Sequence, residues 1–143
     1  FAPLTLLASV SFVLFVNPTL PWRNVSDLIS AGKAKPGSLN FGSSGSGGLP
    51  HLAGEMFAKA AGLSMTHVPY KGSVPAMTGL LGGEIPFMFN VISTALPHVK
   101  SGKARALAIT TPQRSALVPE LPTVAESLAA VRSFKTARDK SAR

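Results

Sequence analysis

The spacing of apolar positions changes several times along this chain, and each change predicts an element. The stretch Leu4 to Val16 is almost continuously apolar. Pro3, Ala8-Ser9 and Asn17-Pro18 divide it into two buried strands. Asn24-Val25-Ser26-Asp27 then predicts a short helix to about Lys33, with Asn24 as its cap and Asp27 favourably placed in its first turn. Lys35-Pro36-Gly37 stops that helix. Ser38 to Phe41 reads as a brief strand entering the glycine- and serine-rich run Gly42–Gly48. Pro50 suits the first turn of the next helix. There Leu49, Leu52, Ala53, Met56, Phe57 and Ala60 recur at three- and four-residue steps as one apolar stripe, and Gly62 ends it.

Leu63 to Val68 is a further strand, leaving through Pro69-Tyr70-Lys71-Gly72-Ser73. Ser73 is a candidate cap for a third helix, with Pro75 in its first turn, Met77, Leu80 and Leu81 buried, and Gly82-Gly83 as its stop. Glu84 to Phe89 predicts a strand closing at Asn90. A helix capped by Ser93 or Thr94 follows, running to about Ser101 and ended by Gly102, and then a strand from Arg105 to Thr110. Thr123-Val124-Ala125-Glu126 matches a capping box, so a last helix starts near Val124. Residues 38–110 thus alternate strand and helix, which implies a parallel sheet with helices on its faces. The loops 42–49, 69–74 and 90–93 then emerge at the carboxyl edge of that sheet, where open α/β sheets bind ligands.

Composition narrows the classes. The 143 residues are 45% hydrophobic and 14% charged, which suits one packed domain or a piece of a larger one. Without cysteine, disulfides and thiolate metal sites are excluded. The three histidines are widely separated and have no carboxylate at ligand spacing, so no zinc site is expected. The net charge of +8 suggests nucleic acid until it is divided: residues 131–143 hold five cations against Asp139, half of the excess. The remainder is unclustered and lacks interleaved aromatics, so no nucleic-acid partner is expected. The apolar run at Leu4–Val16 is shorter than the ~20 residues that span a bilayer, and no basic segment precedes it as in a signal peptide.

The candidate chemistry lies in the loops. A glycine loop at a helix start offers bare amides to an anion, and no acidic residue occurs between Glu55 and Glu84 to compete. A dinucleotide fingerprint fails because Pro50 stands where the third glycine belongs and no acid follows at ribose distance. A P-loop lacks its Gly-Lys-Ser/Thr, and a nucleophile elbow fails because Ser46 replaces the last glycine. No cofactor is expected, and catalysis has little support. Two readings of the glycine loop stay open, an anion cradle or a flexible turn. Tyr70 is a candidate ligand contact or a packed surface ring. Lys71 is a solvated charge or an anion partner, and Asn90 a ligand residue or a turn cap. His51 reads as packed or locally bonded in its helix, with a ligand role as the alternative. His67 reads as a satisfied core histidine, and Met56, Phe57, Met77, Phe87 and Phe89 read as core.

The segments KPGSLNFGSSGSGGLPHLAGEMF, HVPYKGSVPAM, LLGGEIPFMF, STALPHVKSGKARALAITT and RSALVPELPTVAE, with FAPLTLLASV and VNPTLP before them, resemble the substrate-binding proteins of tripartite tricarboxylate transporters. This is the TctC-like family, also called the Bordetella uptake gene or Bug family. The match covers about residues 1–127 in order.

The resemblance implies an α/β, parallel-sheet lobe of a periplasmic-binding-protein type 2-like (venus flytrap) fold, incomplete here. Residues 1–22 correspond to a hinge-side strand pair, 23–127 to the ligand-binding second lobe, and 128–143 to a basic tail foreign to the family. It implies a non-enzymatic, monomeric periplasmic receptor that closes over a small carboxylate and delivers it to membrane permease subunits. Carried over by residue, Gly42, Ser43, Ser44, Gly45 and Gly47 match the loop that meets the ligand carboxylate, and Tyr70, Lys71 and Gly72 match its neighbouring loop. Asn90 falls where many relatives carry Asp in a loop lining the cleft, which puts selectivity for amino-bearing ligands in doubt. The family's signal peptide and first ligand loop are expected upstream of Phe1. SLAAVRSFKTARDKSAR after Glu126 replaces a glycine-rich aromatic stretch, as truncation or a frameshift would produce. The alternatives are a phosphate- or nucleotide-binding α/β enzyme using Gly42–Gly48, or a non-functional truncated gene product.

Overall fold

The computed structural model describes residues 11–141, with side chains described through Ser133. Ten elements follow one another: β1 (Phe12–Val16), α1 (Val25–Ala34), β2 (Leu39–Ser43), α2 (Leu49–Ala61), β3 (Met65–Pro69), α3 (Ser73–Leu81), β4 (Phe87–Val91), α4 (Ile92–Lys100), β5 (Arg105–Ile109) and α5 (Val124–Ser141). The strands form one sheet in the order β3-β2-β4-β1-β5.

β2 pairs in parallel with β3 and with β4, so the loops after β2 and β3 leave at one edge with the β4–α4 junction, which is direct and lacks the loop expected at 90–93. β2, β3, β4 and β5, the strands of the alternating residues 38–110, share one direction, but β1, which lies outside them, interrupts their sheet. It runs antiparallel between β4 and β5, with Val13 opposite Asn90 and Ile109. Its apolar run is buried on both faces, since Val13, Leu14, Phe15 and Val16 all lie at or below 1% exposure. That pattern identifies a central strand but carries no information about direction. The other strand expected within Leu4–Val16 lies outside the described residues.

Two cores flank the sheet. On one face α1, α2 and α5 cover Leu14, Val16, Phe41, Phe87 and Phe89. On the other, α3 and α4 cover Val13, Phe15, Met88 and Ile109. The sequence punctuates these helices largely as expected. Asn24 Oδ1 accepts the Asp27 N–H at 2.9 Å. Gly62 ends α2 in the left-handed conformation at φ 66°, which costs a glycine nothing sterically. Thr123 Oγ1 accepts the Glu126 N–H at 3.0 Å while Glu126 Oε2 accepts the Thr123 N–H at 3.2 Å, a reciprocal capping box.

Three expectations need correction. The apolar stripe assigned to α2 is rotated: Leu49 and Met56 are 60% and 72% exposed and Leu52 is also exposed, while Pro50, Gly54, Phe57, Ala58 and Ala61 face the sheet. Met56 is therefore not core. Ser73 is the first residue of α3 rather than its cap, which is Gly72 at φ 121°. Neither Ser93 nor Thr94 caps α4, because the helix begins at Ile92 directly from the strand, with Val91 as its cap.

Candidate functional site

β2 ends at Ser43, and the chain turns through Gly45 (φ 149°) and Gly47 (φ 78°) before α2 begins. Few side chains adopt such dihedrals, so the loop needs its glycines there. The neighbouring loop after β3 is laced to it. The Tyr70 N–H donates to the Ser43 carbonyl at 2.9 Å, and the Gly72 N–H donates to the Ser44 carbonyl at 3.1 Å. Gly42, Ser43, Ser44, Gly45, Tyr70 and Gly72 are thereby brought onto one continuous backbone surface. The amides of Ser46, Gly48 and Lys71 have no hydrogen-bond partner among the described residues. They lie just ahead of α2 and α3, where helix dipoles concentrate positive potential.

Side chains lock this surface from below. Ser43 is fully buried. Its hydroxyl donates to the Gly45 carbonyl at 2.9 Å, accepts the Gly45 N–H at 3.2 Å and meets His67 Nε2 at 2.6 Å. The imidazole of His67 stacks on that of His51, with ring centroids 3.7 Å apart and planes 11° apart. His51 Nδ1 accepts the Gly47 N–H at 2.9 Å, and its Nε2 lies 3.5 Å from Glu55 Oε1. Burial chiefly, and the neighbouring His51 next, lower the pKa of His67 against the opposing pull of Glu55. Among the described residues no three His, Cys, Asp or Glu side chains are grouped to hold a metal ion.

Tyr70 turns its hydroxyl away from the glycine loop. It donates to Glu84 Oε2 at 3.0 Å, and its ring crosses Gly79, where an added Cβ would sit 2.4 Å from the hydroxyl oxygen. Burial first, then the Glu84 hydrogen bond and charge, raise the Tyr70 pKa. Lys71 is exposed with no ion-pair partner among the described residues. Gly47 is exposed at the loop tip.

Asn90 is buried to 1% exposure at the end of β4. Its Oδ1 accepts the Val91 N–H at 2.8 Å, while Nδ2 has no partner among the described residues. Such orphaned donors are uncommon in native interiors and ask for an explanation. Pairing of Gly42 with Met88 sets Ser44 and Asn90, two residues on in each strand, at the same edge of adjacent strands. A cavity of ≈ 860 Å³ forms an apolar groove beneath α4 and Leu117–Leu121, and none of the nine candidate residues lines it. The buried amide at the sheet edge is the better marker of a polar ligand, because it supplies a donor with nothing to donate to.

The sequence reading did not find the Ser43–His67–His51 assembly. One signal was available in principle. Once Phe41 is set opposite His67, the period of two along β2 puts Ser43 on the same face as that histidine. His51 needs the tertiary seat of α2 as well, which no spacing in the sequence specifies.

A family model described as the tripartite tricarboxylate transporter family receptor matches residues 1–136. Protein BugT of Bordetella pertussis is 38% identical over 124 residues, covering 87% of this chain and 38% of that protein. A solved structure titled R. palustris Rpa4515 with adipate superposes with a TM-score of 0.80 at 36% identity, over 82% of this chain and 40% of the other. The periplasmic binding protein BugD superposes with a TM-score of 0.77 at 31% identity, over the same shares. The chain spans about 38% of the length of the curated relatives it matches. Among the described residues no helix is long and apolar enough to cross a membrane.

Proposed function

The chain belongs to the tripartite tricarboxylate transporter receptor family, and from that premise we propose that it is one lobe of a periplasmic receptor for a small carboxylate. The observation that carries this reading is the chemical uniformity of the sheet edge. The free amides of Ser46, Gly48 and Lys71, the Lys71 ammonium and the unpaired Asn90 Nδ2 are all donors. An ionised carboxylate only accepts, and bonds from such donors to it are the stronger, charge-assisted kind. The nearest carboxylates do not compete, because Glu55 contacts His51 and Glu84 holds Tyr70.

The nine candidate residues divide by role in this reading. Gly45, Gly47 and Gly72 shape the two loops. Gly42 and Ser43 fix their roots, Ser44 ties one loop to the other, and Lys71 and Asn90 touch the ligand. Tyr70 acts as a brace through Glu84. Residues 1–22 would belong to the hinge side, 23–127 to the ligand-binding lobe, and 128–143 to a basic tail. A second lobe would close over the exposed carboxylate and complete its desolvation, and permease subunits would accept the cargo.

A receptor rather than an enzyme is also supported by the serine–histidine pair. Ser43 is fully buried, and Glu55 contacts His51 instead of orienting His67. The pair lacks an accessible nucleophile and a third group in line.

The test is amide NMR of this chain titrated with adipate, inorganic phosphate and a nucleoside monophosphate. Shifts of Ser46, Gly48, Lys71 and the Asn90 side-chain amide with adipate alone are expected. A single lobe supplies half the contacts, so binding is expected to be weaker than micromolar. Selective response to phosphate or nucleotide would sink the carboxylate reading in favour of a phosphate site.

A further inference from the structure

We propose that the stacked His51–His67 pair is a positioning device for the glycine loop, holding its ligand-ready shape only while the His51 ring is uncharged. This deepens the carboxylate site proposed above, but the behaviour of the loop can be measured without a ligand.

The hydrogen bonds dictate the protonation state. Gly47 donates to His51 Nδ1, so that nitrogen must present a lone pair, and the ring proton sits on Nε2 toward Glu55. A second proton on His51 would place N–H against N–H and release Gly47 from α2. The loop is thus held at its far end by His51 and at its root by Ser43, which His67 contacts. Stacking couples the two anchors, because two imidazolium rings 3.7 Å apart repel each other.

Among the described residues the charged groups around the pair are few. On α2 itself Glu55 lies beside His51, and Lys59 is one further turn along. β2 and β4 carry no titratable residue in their paired segments, and the loop 44–48 carries none. From α5, Arg132 reaches the far end of α2 at the Ala60 carbonyl.

The loop residues matched through the family resemblance include neither histidine. Their role here is indirect: neither need touch the ligand, since each acts through a loop residue that presents amides to it.

The experiment is NMR of the 143-residue chain between pH 8 and pH 5. Hydrogen-exchange protection of the Gly47 amide, corrected for the intrinsic pH dependence of exchange, should fall roughly fivefold as His51 charges, the scale of one net hydrogen bond. Its midpoint should coincide with the titration of the His51 ring. In His51→Asn an oxygen can accept the Gly47 N–H without titrating, so protection should persist through the same range. In His51→Phe the stack remains and the acceptor is lost, so protection should be low at every pH. Gly47 protection that stays constant while His51 titrates, or a wild-type pH response retained in His51→Asn, would overturn the proposal. Should His51→Phe fail to fold, the wild type and His51→Asn decide alone.

Adipate provides a separate arm. Its effect on the Ser46 and Gly48 amides should weaken from pH 8 to pH 6 more in the wild type than in His51→Asn, a comparison that cancels adipate's own protonation. No adipate response in either protein at either pH would count against the carboxylate site and leave the loop result standing.

Discussion

Helix α2 rests on the ring of Phe41 through the bare backbone of Gly54, where an added Cβ would lie 2.1 Å from Phe41 Cε2. This contact sets how far the helix that begins at the glycine loop can approach the sheet. It also explains the rotated face of α2, since the closest approach is made by a residue that hydropathy patterns do not score.

Gly54→Ala is therefore expected to destabilise the chain. Alanine gains up to about 1 kcal/mol in helix propensity over glycine. The neighbour it meets, however, is a fully buried ring with no free side to move into, and overpacking of this kind costs about 1–3 kcal/mol. Urea unfolding should show a net loss of stability with an unchanged m-value. A gain in stability would mean that α2 rides freely over Phe41.

The Tyr70–Glu84 bond offers a spectroscopic prediction. Tyr70 is the only tyrosine in the chain, so phenolate absorbance reports it alone. Its pKa is raised above the ordinary value by burial first and by Glu84 second. Glu84→Gln removes the charge and keeps the burial, so the midpoint should move only part of the way back. Stability linked to this group is full below the unfolded pKa of 10 and is lost as pH rises through the folded value. A midpoint that Glu84→Gln leaves unchanged would place the whole effect in burial.

His67 makes the opposite linkage. Its folded pKa lies below the unfolded 6.5, so between the two values the unfolded chain binds more protons and stability rises with pH. The contribution is complete above pH 6.5 and declines as pH falls below it. Thermal unfolding should give a lower Tm at pH 5.5 than at pH 7.5, and His67→Gln should reduce that difference. An equal or larger difference in the variant would assign the acid sensitivity elsewhere.

How much of this was legible beforehand depends on the range of each interaction. Asn24, Gly62 and the Thr123–Glu126 box act within one helical turn, and each stands where local chemistry puts it. The edge shared by the β2 and β3 loops and the β4–α4 junction follows from strand–helix alternation, which is nearly as local. Three things were not legible. The direction of β1 depends on pairing with Asn90 and Ile109, far away in sequence. The buried face of α2 is set by Gly54 against Phe41. The partner of His67 is settled by register between β2 and β3. Family resemblance named the two loops, yet the bonds that hold them in place come from residues whose roles are purely tertiary.

Asn90 separates stability from binding. Replacing it by Leu removes the bond that Oδ1 accepts from the Val91 N–H, a loss of about 1 kcal/mol. The same change removes a buried donor that has no partner, and relieving such an orphan returns a similar amount, about 1–3 kcal/mol. The two terms oppose, so Asn90→Leu should unfold within about 1 kcal/mol of the wild type or be slightly more stable. Its response to adipate should nevertheless be lost, because the donor set at the sheet edge would be incomplete. Asn90→Asp keeps an acceptor for Val91 but turns the second group from donor to acceptor, and its charge would repel a carboxylate. Adipate titrations followed at Ser46 and Gly48, beside urea unfolding of both variants, check this. If Asn90→Leu is strongly destabilised and still responds to adipate, Nδ2 has a structural role and the ligand lies elsewhere along the edge.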